Sequence, residues 1–396
     1  MPALGLITWL LTGIGGLLLF LVLVLMVEIF AGCRRVRDVT GTEVPPGKIA
    51  VIVPAHDEAA GVAQVIRAIR ADLRPADRLI VVADNCTDKT FELAQTSGAE
   101  AIRRDDPARR GKGFALDFGV RHLKSDPPDV VIVMDADCFA AKGSLLRIAA
   151  IAAARQRPVQ ALYEMDPPAQ APASSELVAA FAWHVKNRVR PLGLHRLGLP
   201  CSLMGTGMAF PWNCISTAQL GTAHIVEDLV LGLELTSKGT PPLFCPQARV
   251  TSTFPMSLEG QKTQRARWET GHLNLIMHDL PRLLVQAVRT RNTALIAHVI
   301  DCAVPPLAVL LLLILWLMIL SLLPFIAGWS ALPLIMSALC LAVFAASILV
   351  AWQQTFRDQL SLVKLISVPG YIIGKLGIYC RVAIGRQLEW VRTKRD

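Results

Sequence analysis

Val130-Val131-Ile132-Val133-Met134-Asp135-Ala136-Asp137 is the stretch that decides the fold: five apolar side chains in a row, then two carboxylates flanking one alanine. A run this short and this apolar reads as a strand buried on both faces, the kind found in a parallel sheet covered by helices. Working outwards, Lys48-Ile49-Ala50-Val51-Ile52-Val53-Pro54 and Arg78-Leu79-Ile80-Val81-Val82-Ala83 have the same character. Amphipathic helical stretches over 58–71, 89–97 and 113–124 alternate with them, and shorter strands are expected at 99–103 and 159–163. Strand–helix alternation at this spacing predicts an α/β fold, a Rossmann-like, doubly wound and mostly parallel sheet. The Pro/Ala/Ser-rich stretch 166–175 reads as a mobile loop.

In such a sheet ligands bind at the carboxyl ends of the strands, so the residues that follow each strand carry the chemistry. They are unusually polar here: Pro54-Ala55-His56-Asp57-Glu58, Asp84-Asn85-Cys86-Thr87-Asp88, Arg109-Arg110-Gly111-Lys112-Gly113 and Asp135-Ala136-Asp137. Singly, each has a plain structural reading as a turn, a cap or a solvated loop. Four of them converging on one sheet edge favour a ligand site. Asp135 and Asp137 repel one another unless a cation lies between, and a hard divalent ion such as Mg²⁺ or Mn²⁺, shared with substrate phosphates, is the usual compensation. No P-loop lysine motif and no G-x-G-x-x-G follows the first strand, which argues against an NTPase or a dinucleotide dehydrogenase.

The chain has 396 residues, 53% hydrophobic and 18% charged, and its apolar residues are concentrated. Residues 1–27 and 302–356 contain no charged side chain. A helix needs about 20 apolar residues to cross a bilayer, so the first block supplies one span and the second supplies two, joined by a turn near Pro324–Ser330. Arg34, Arg35 and Arg37 follow the first span, which disfavours a cleaved signal peptide and places the amino terminus outside and the polar region in the cytosol. Phe30-Ala31-Gly32-Cys33 resembles a lipoprotein cleavage box, but Glu28 intrudes and no basic start precedes it. Residues 357–396 hold eight basic and three acidic side chains, a tail suited to anionic lipid. The excess charge therefore points to a membrane surface and away from nucleic acid. Residues 361–380, interrupted by Lys364, Pro369 and Lys375, read as an interfacial or re-entrant element. The nine cysteines form no C-x-x-C pair, so neither a zinc site nor a disulfide framework is indicated.

Two later stretches add to this. Glu227-Asp228 opens an amphipathic helix, where acidic residues are favoured by the helix dipole whatever else they do. In Gln264-Arg265-Ala266-Arg267-Trp268, the i, i+3 and i+4 spacing sets Gln264, Arg267 and Trp268 on one helix face. An indole beside a guanidinium suits a sugar or base with a diphosphate; a basic amphipathic helix lying on the membrane is the structural alternative.

These motifs, in this order from about residue 48 to 272 and with spans on either side, resemble the membrane-integrated, inverting family-2 glycosyltransferases of GT-A fold. That group contains cellulose, chitin and hyaluronan synthases and ceramide glucosyltransferases. The resemblance implies that Pro54, Glu58 and Asp84 contact the nucleoside of a nucleotide sugar, with Asp84 on the base. It implies Lys112 near the phosphates, Asp135 near the ribose and metal, Asp137 on the metal, and Asp228 as general base. Gln264, Arg265, Arg267 and Trp268 take the diphosphate and acceptor, and Gly205-Thr206-Gly207 is similar to the loop beside the acceptor, unless it is only a tightly packed turn. Successive helical residues point about 100° apart, so only one of Glu227 and Asp228 is expected to face the acceptor.

The expected layout is a transmembrane helix at 1–30, a cytosolic GT-A domain with interfacial helices at 31–293, two transmembrane helices at 294–356, and an interfacial segment with a basic cytosolic tail at 357–396. The expected activity is transfer from a nucleotide-diphosphate sugar, a UDP-sugar first, to a lipid or lipid-linked saccharide at the inner membrane. Three alternatives stand beside it: a processive polysaccharide synthase with partner subunits of a glycan export system, a nucleotidyltransferase, and a catalytically silent nucleotide-binding membrane protein.

Overall fold

The computed structural model describes residues 2–34, 45–167, 172–222, 224–255 and 257–365. Arg35, Arg37, residues 168–171 of the loop expected at 166–175, and all but the start of the segment at 361–380 lie outside the described residues, as does most of the basic tail.

The sheet is laid down by β1 (Ile49–Ala55), β2 (Arg78–Asp84), β3 (Glu100–Arg104) and β4 (Val130–Val133), all parallel in the order β3-β2-β1-β4. The connecting helices are α2 (Val62–Asp72), α3 (Thr90–Thr96) and α4 (Lys112–His122), with α5 (Ser144–Arg155) after the short β5 (Phe139–Ala140). Alternation along β1 divides its side chains between two cores. Ile49, Val51 and Val53 join Val62, Ile66 and Ile148 on one face. Ala50 and Ile52 join Ala115, Leu116 and Val120 of α4 on the other. This two-sided burial explains why the strands read as continuous apolar runs.

Beyond β4 the mostly parallel sheet takes in two short antiparallel strands and becomes mixed. The helix α6 (Ser174–His184) follows β6 (Val159–Asp166) and continues through a π-turn (Val185–Val189) into α7 (Arg190–Arg196). Next come β7 (Met208–Pro211), α8 (Trp212–Ile215), α9 (Glu227–Ser237) and β8 (Leu243–Thr253). The full order is β3-β2-β1-β4-β7-β6-β8-β5, with β7 antiparallel to both β4 and β6, β8 parallel to β6, and β5 antiparallel to β8. β7 has four residues, too few for a period to show in the sequence.

Three helices are long and apolar enough to cross a membrane. α1 (Pro2–Gly32) supplies the first, over Gly5–Gly32. After α10 (Leu258–Asn274), a second π-turn (Leu275–Asp279), α11 (Leu280–Arg289) and α12 (Thr293–Ala303) come α13 (Leu307–Ile326) and α14 (Leu332–Thr355). Their inner faces carry Leu18, Val22 and Leu25 of α1, Ile314 and Ser321 of α13, and Ser337, Cys340 and Ser347 of α14. Trp9, Leu17, Phe20, Trp316, Ile319 and Ile335 point outward. Larger apolar groups outside and smaller, more polar ones inside is the packing a bilayer favours.

The first span is built into the polar domain. Gly193 of α7 lies so close to α1 that a Cβ there would sit 2.0 Å from the carbonyl oxygen of Glu28, and a Cβ on Gly32 would sit 2.0 Å from that of Val189. Across this contact Arg190 Nε donates to Glu28 Oε2 at 2.6 Å and Arg190 Nη2 to Asp301 Oδ1 at 2.7 Å. Ser202 Oγ completes the group by donating to Asp301 Oδ2 at 3.0 Å. The Glu28 that interrupts the apolar pattern is thus a buried ion-pair partner.

Candidate active site

The parallel register keeps the strand ends level: Ala55 pairs with Ala83 and Ile52 with Val133, so Pro54, Asp84 and residues 135–137 emerge along one edge. β7 enters from the opposite direction, and because Met208 pairs with Val133, the loop 205–207 arrives beside Asp135. Thr206 Oγ1 accepts the Asp135 N–H at 3.1 Å, and the Gly205 carbonyl accepts from Lys112 Nζ at 2.7 Å. The same ammonium lies 2.5 Å from Asp135 Oδ1. Gly205 has φ +87°, and a Cβ there would meet Lys112 Nζ at 3.2 Å and Asp228 Oδ2 at 3.4 Å. A side chain would be both strained and in the way.

A cleft of about 1190 Å³ opens above this edge. Pro54, Glu58, Asp84, Lys112, Asp135 and Asp137 line one end, Gly205 and Asp228 the middle, and Gln264, Arg267 and Trp268 come in from α10. The expected single helix face is therefore present. Arg265 lies elsewhere: its Nη2 donates to Gln261 Oε1 at 3.0 Å and its guanidinium sits 5.7 Å from the Phe254 ring centroid. Thr206 and Gly207 also stay out of the cleft. Thr206 is fully buried, and a Cβ on Gly207 would touch Val250 at 2.8 Å, so these two pack the loop while Gly205 alone lines the cavity.

Asp84 is buried, and its bonds from Arg104 Nη1 (2.5 Å) and Asn85 Nδ2 (3.0 Å) both land on Oδ1. Burial lifts its carboxyl above the ordinary value in spite of Arg104. Asp57, between His56 and Glu58, works on the scaffold: Oδ1 accepts the N–H of Thr87 at 2.6 Å and of Asp88 at 3.2 Å, tying the β1 and β2 loops together.

At the first turn of α9, burial raises the Asp228 carboxyl against the pull of Lys112 and Lys186. Glu227 is pushed up to about 7 by burial and by the neighbouring Asp228 charge. Both line the cleft, so the 100° turn between them does not remove Glu227 from the wall as expected. Burial works against the Lys112 ammonium, yet Asp135, Glu227 and Asp228 outweigh it and hold its pKa above the usual lysine value.

Asp135, Asp137 and Cys138 bring ligand atoms within 4.8 Å of one another. Burial pushes the Cys138 thiol up to about 12, so it stays protonated, with Sγ 3.5 Å from Asp137 Oδ1. What remains is a pair of carboxylates, a donor set that fits a hard divalent cation.

The sequence reading missed the wall opposite. Trp183 stacks on Trp268 at 4.9 Å, and Lys186, Asn187 and Arg190 reach the cleft from the π-turn and α7. The π-turn breaks the 3.6-residue period, so no helical pattern announces which side these residues face. The one signal is the run of alternate cations Lys186, Arg188 and Arg190.

A mixed sheet with carboxylates at the end of its fourth strand and a tryptophan-bearing helix across the cleft defines a class, the GT-A transferases. Residues 45–271, more than half of the chain, match glycosyltransferase like family 2, and the chain belongs to that family. A 92-residue stretch is 33% identical to the low-salt glycan biosynthesis hexosyltransferase Agl6 of Haloferax volcanii, covering 23% of this chain and 21% of that protein. Another, of 98 residues, is 33% identical to the probable glycosyltransferase YdaM of Bacillus subtilis, covering 23% of each. The chain thus spans less than a quarter of the length of the curated relatives it matches. Over its whole length it resembles the structure of the mannosyltransferase PcManGT from Pyrobaculum calidifontis, in complex with GDP-Man and Mn²⁺. That match has a TM-score of 0.54 and 16% identity, and covers 95% of this chain and 100% of that one.

Proposed function

We propose that this chain is a membrane-bound, inverting glycosyltransferase that moves a sugar from a nucleotide-diphosphate sugar, a UDP-sugar first, to a hydroxyl of a lipid or lipid-linked saccharide at the cytosolic membrane face. One observation carries the reading: the cleft is continuous from Asp135 and Asp137, past Asp228, to Leu194 on the helix docked against the first span and Val309 in the second. A water-soluble donor and a membrane-held acceptor can meet across Asp228. α11, which turns Leu284, Val285 and Val288 outward between Arg282 and Arg289, suits a helix lying in the bilayer interface.

In this reading Pro54 and Glu58 contact the nucleoside, and Asp84 Oδ2, the oxygen not bonded by Arg104, accepts from the base. Asp228 removes the proton of the acceptor hydroxyl, whose oxygen attacks the anomeric carbon in line as the bond to the diphosphate breaks. The configuration inverts and no covalent sugar intermediate forms. Lys112, Gln264 and Arg267 hold the departing diphosphate, and Trp268 with Trp183 gives the sugar an indole surface. Mg²⁺ or Mn²⁺ held by Asp137 and Asp135 would supply further charge neutralisation at the phosphates.

The full-length enzyme in nanodiscs, given radiolabelled nucleotide sugars, should yield a chloroform-extractable product with one added sugar. Long water-soluble polymer made without a partner protein would overturn the acceptor assignment. EDTA should abolish transfer, and Asp137→Asn should remove the metal dependence of donor binding while leaving the thermal midpoint in place; full activity in EDTA refutes the metal role.

A further inference from the structure

In the reading above, the donor leaves part of the cleft open. That part lies beyond Asp228, towards the membrane helices, and its wall comes from the π-turn Val185–Val189, α7 and α13. Two cations stand in it, and they are not equivalent. Arg190 is fully engaged, with Glu28 and Asp301 on its guanidinium. Lys186 is open to the cleft, and among the described residues no carboxylate pairs with its Nζ; the ring of Trp183, 5.8 Å away, is its neighbour.

Lys186 enters the cleft from the π-turn, among different charged neighbours from those of Lys112. Lys112 has Asp135, Glu227 and Asp228 as its charged neighbours, whereas Lys186 has Asp228, Arg190 and Glu269. Asp228 is thus a charged neighbour of both ammoniums, Lys112 beside Asp135 and Lys186 on the π-turn next to Arg190. Lys112 already has directly bonded carboxylate and carbonyl partners, whereas Lys186 has Asp228 and Glu269 in its surroundings but, among the described residues, no hydrogen-bonded carboxylate. A π-turn interrupts regular helical bonding and is frequent at functional sites. Here it carries Lys186 and Asn187 into the cavity.

Resting on the acceptor reading above, we propose that Lys186 binds an anionic group of the acceptor, so that the acceptor is a lipid carrying a phosphate or carboxylate beside its attacking hydroxyl. The anion sits on the membrane side of Asp228 and the hydroxyl next to it reaches the base. A neutral lipid gives the ammonium no directly bonded anion, and the loss of that one charged bond makes the discrimination.

The test uses the full chain in phosphatidylcholine nanodiscs with two matched pairs of acceptor probes: phosphatidylglycerol against diacylglycerol, and glucuronosyl-diacylglycerol against glucosyl-diacylglycerol. Wild type should favour the anionic member of at least one pair in KM by about tenfold or more, the weight of one charge-assisted hydrogen bond. Which pair shows it tells phosphate from carboxylate. K186Q should erase the preference by raising KM for the anionic probe alone, K186R should retain it, and UDP affinity should stay at the wild-type value in both. The inference falls if wild type shows no preference, if K186Q raises both members of a pair alike, or if K186Q weakens UDP binding, which would assign Lys186 to the donor. The wild-type preference needs no variant and stands whatever K186Q does to folding. If lipids accept sugar without regard to charge, only this inference fails. If only water-soluble glycans accept it, the lipid reading fails with it.

Discussion

Asp228 has its carboxyl raised by burial and partly restored by Lys112 and Lys186, and in the proposed mechanism that balance sets its use as a base. Asp228→Asn should lower kcat by at least about a hundredfold with donor affinity kept, the usual weight of general-base catalysis. Glu227→Gln, removing a group that titrates near 7, should cost less. Wild-type turnover in Asp228→Asn refutes the role. The sign of the pH effect follows: a raised carboxyl is protonated at pH values where an ordinary aspartate is not, and a protonated base is inactive. The acid limb of kcat/KM should therefore lie above the ordinary aspartate value of 3.8, and removing the Lys186 charge should move it higher. Asp228 was legible in the sequence as half of an acidic pair at a helix start. Lys186 was not, because its meaning depends on a cavity that only the packed helices create.

Among the elements, α10 separates what spacing can and cannot foretell. The i, i+3, i+4 set of Gln264, Arg267 and Trp268 was read from the sequence and all three line the cleft, whereas Arg265, included because the motif includes it, packs on Gln261 and Phe254. Arg267→Ala and Trp268→Ala should each reduce kcat/KM by tenfold or more, about the weight of one charged hydrogen bond or one aromatic contact. Arg265→Ala should leave it within a few-fold, roughly what a partly exposed cation contributes. Equal losses at all three positions would mean that α10 acts only as scaffold. The parallel strands were legible because burial on both faces leaves an unbroken apolar run. The antiparallel β7 and both π-turns were not, since four residues show no period and a π-turn erases one. Contact between α1 and α7 leaves no room for a larger residue at position 193. Gly193→Leu should lower stability by about 1–3 kcal/mol or more, the range for overpacking, read as a fall in the thermal midpoint in detergent.

For the molecule as a whole, the order of spans fixes which surfaces lie together. A Cβ on Gly5 would meet the Trp329 ring at 3.3 Å, so the start of α1 adjoins the α13–α14 turn, while Arg190 joins the other end of α1 to the catalytic domain. If the catalytic domain is cytosolic, as proposed, a membrane-impermeant maleimide should label Gly328→Cys in intact cells and should label Lys124→Cys only after permeabilisation. The reverse pattern would invert the topology. The three long apolar helices were legible from composition alone, but not their union with the domain, which depends on an aspartate, an arginine and a glutamate far apart in the chain. One apolar core runs unbroken from Val22, Leu25 and Ile29 of α1 to Val51 and Val53 of the central strand. That continuity bears on how the enzyme is to be handled. A fragment trimmed to residues 45–271 keeps every catalytic group but loses both counter-charges of Arg190, stranding a guanidinium on freshly bared oily surface. What looks in the sequence like a detachable anchor is a wall of the enzyme, and excising it to obtain a soluble version removes part of the building.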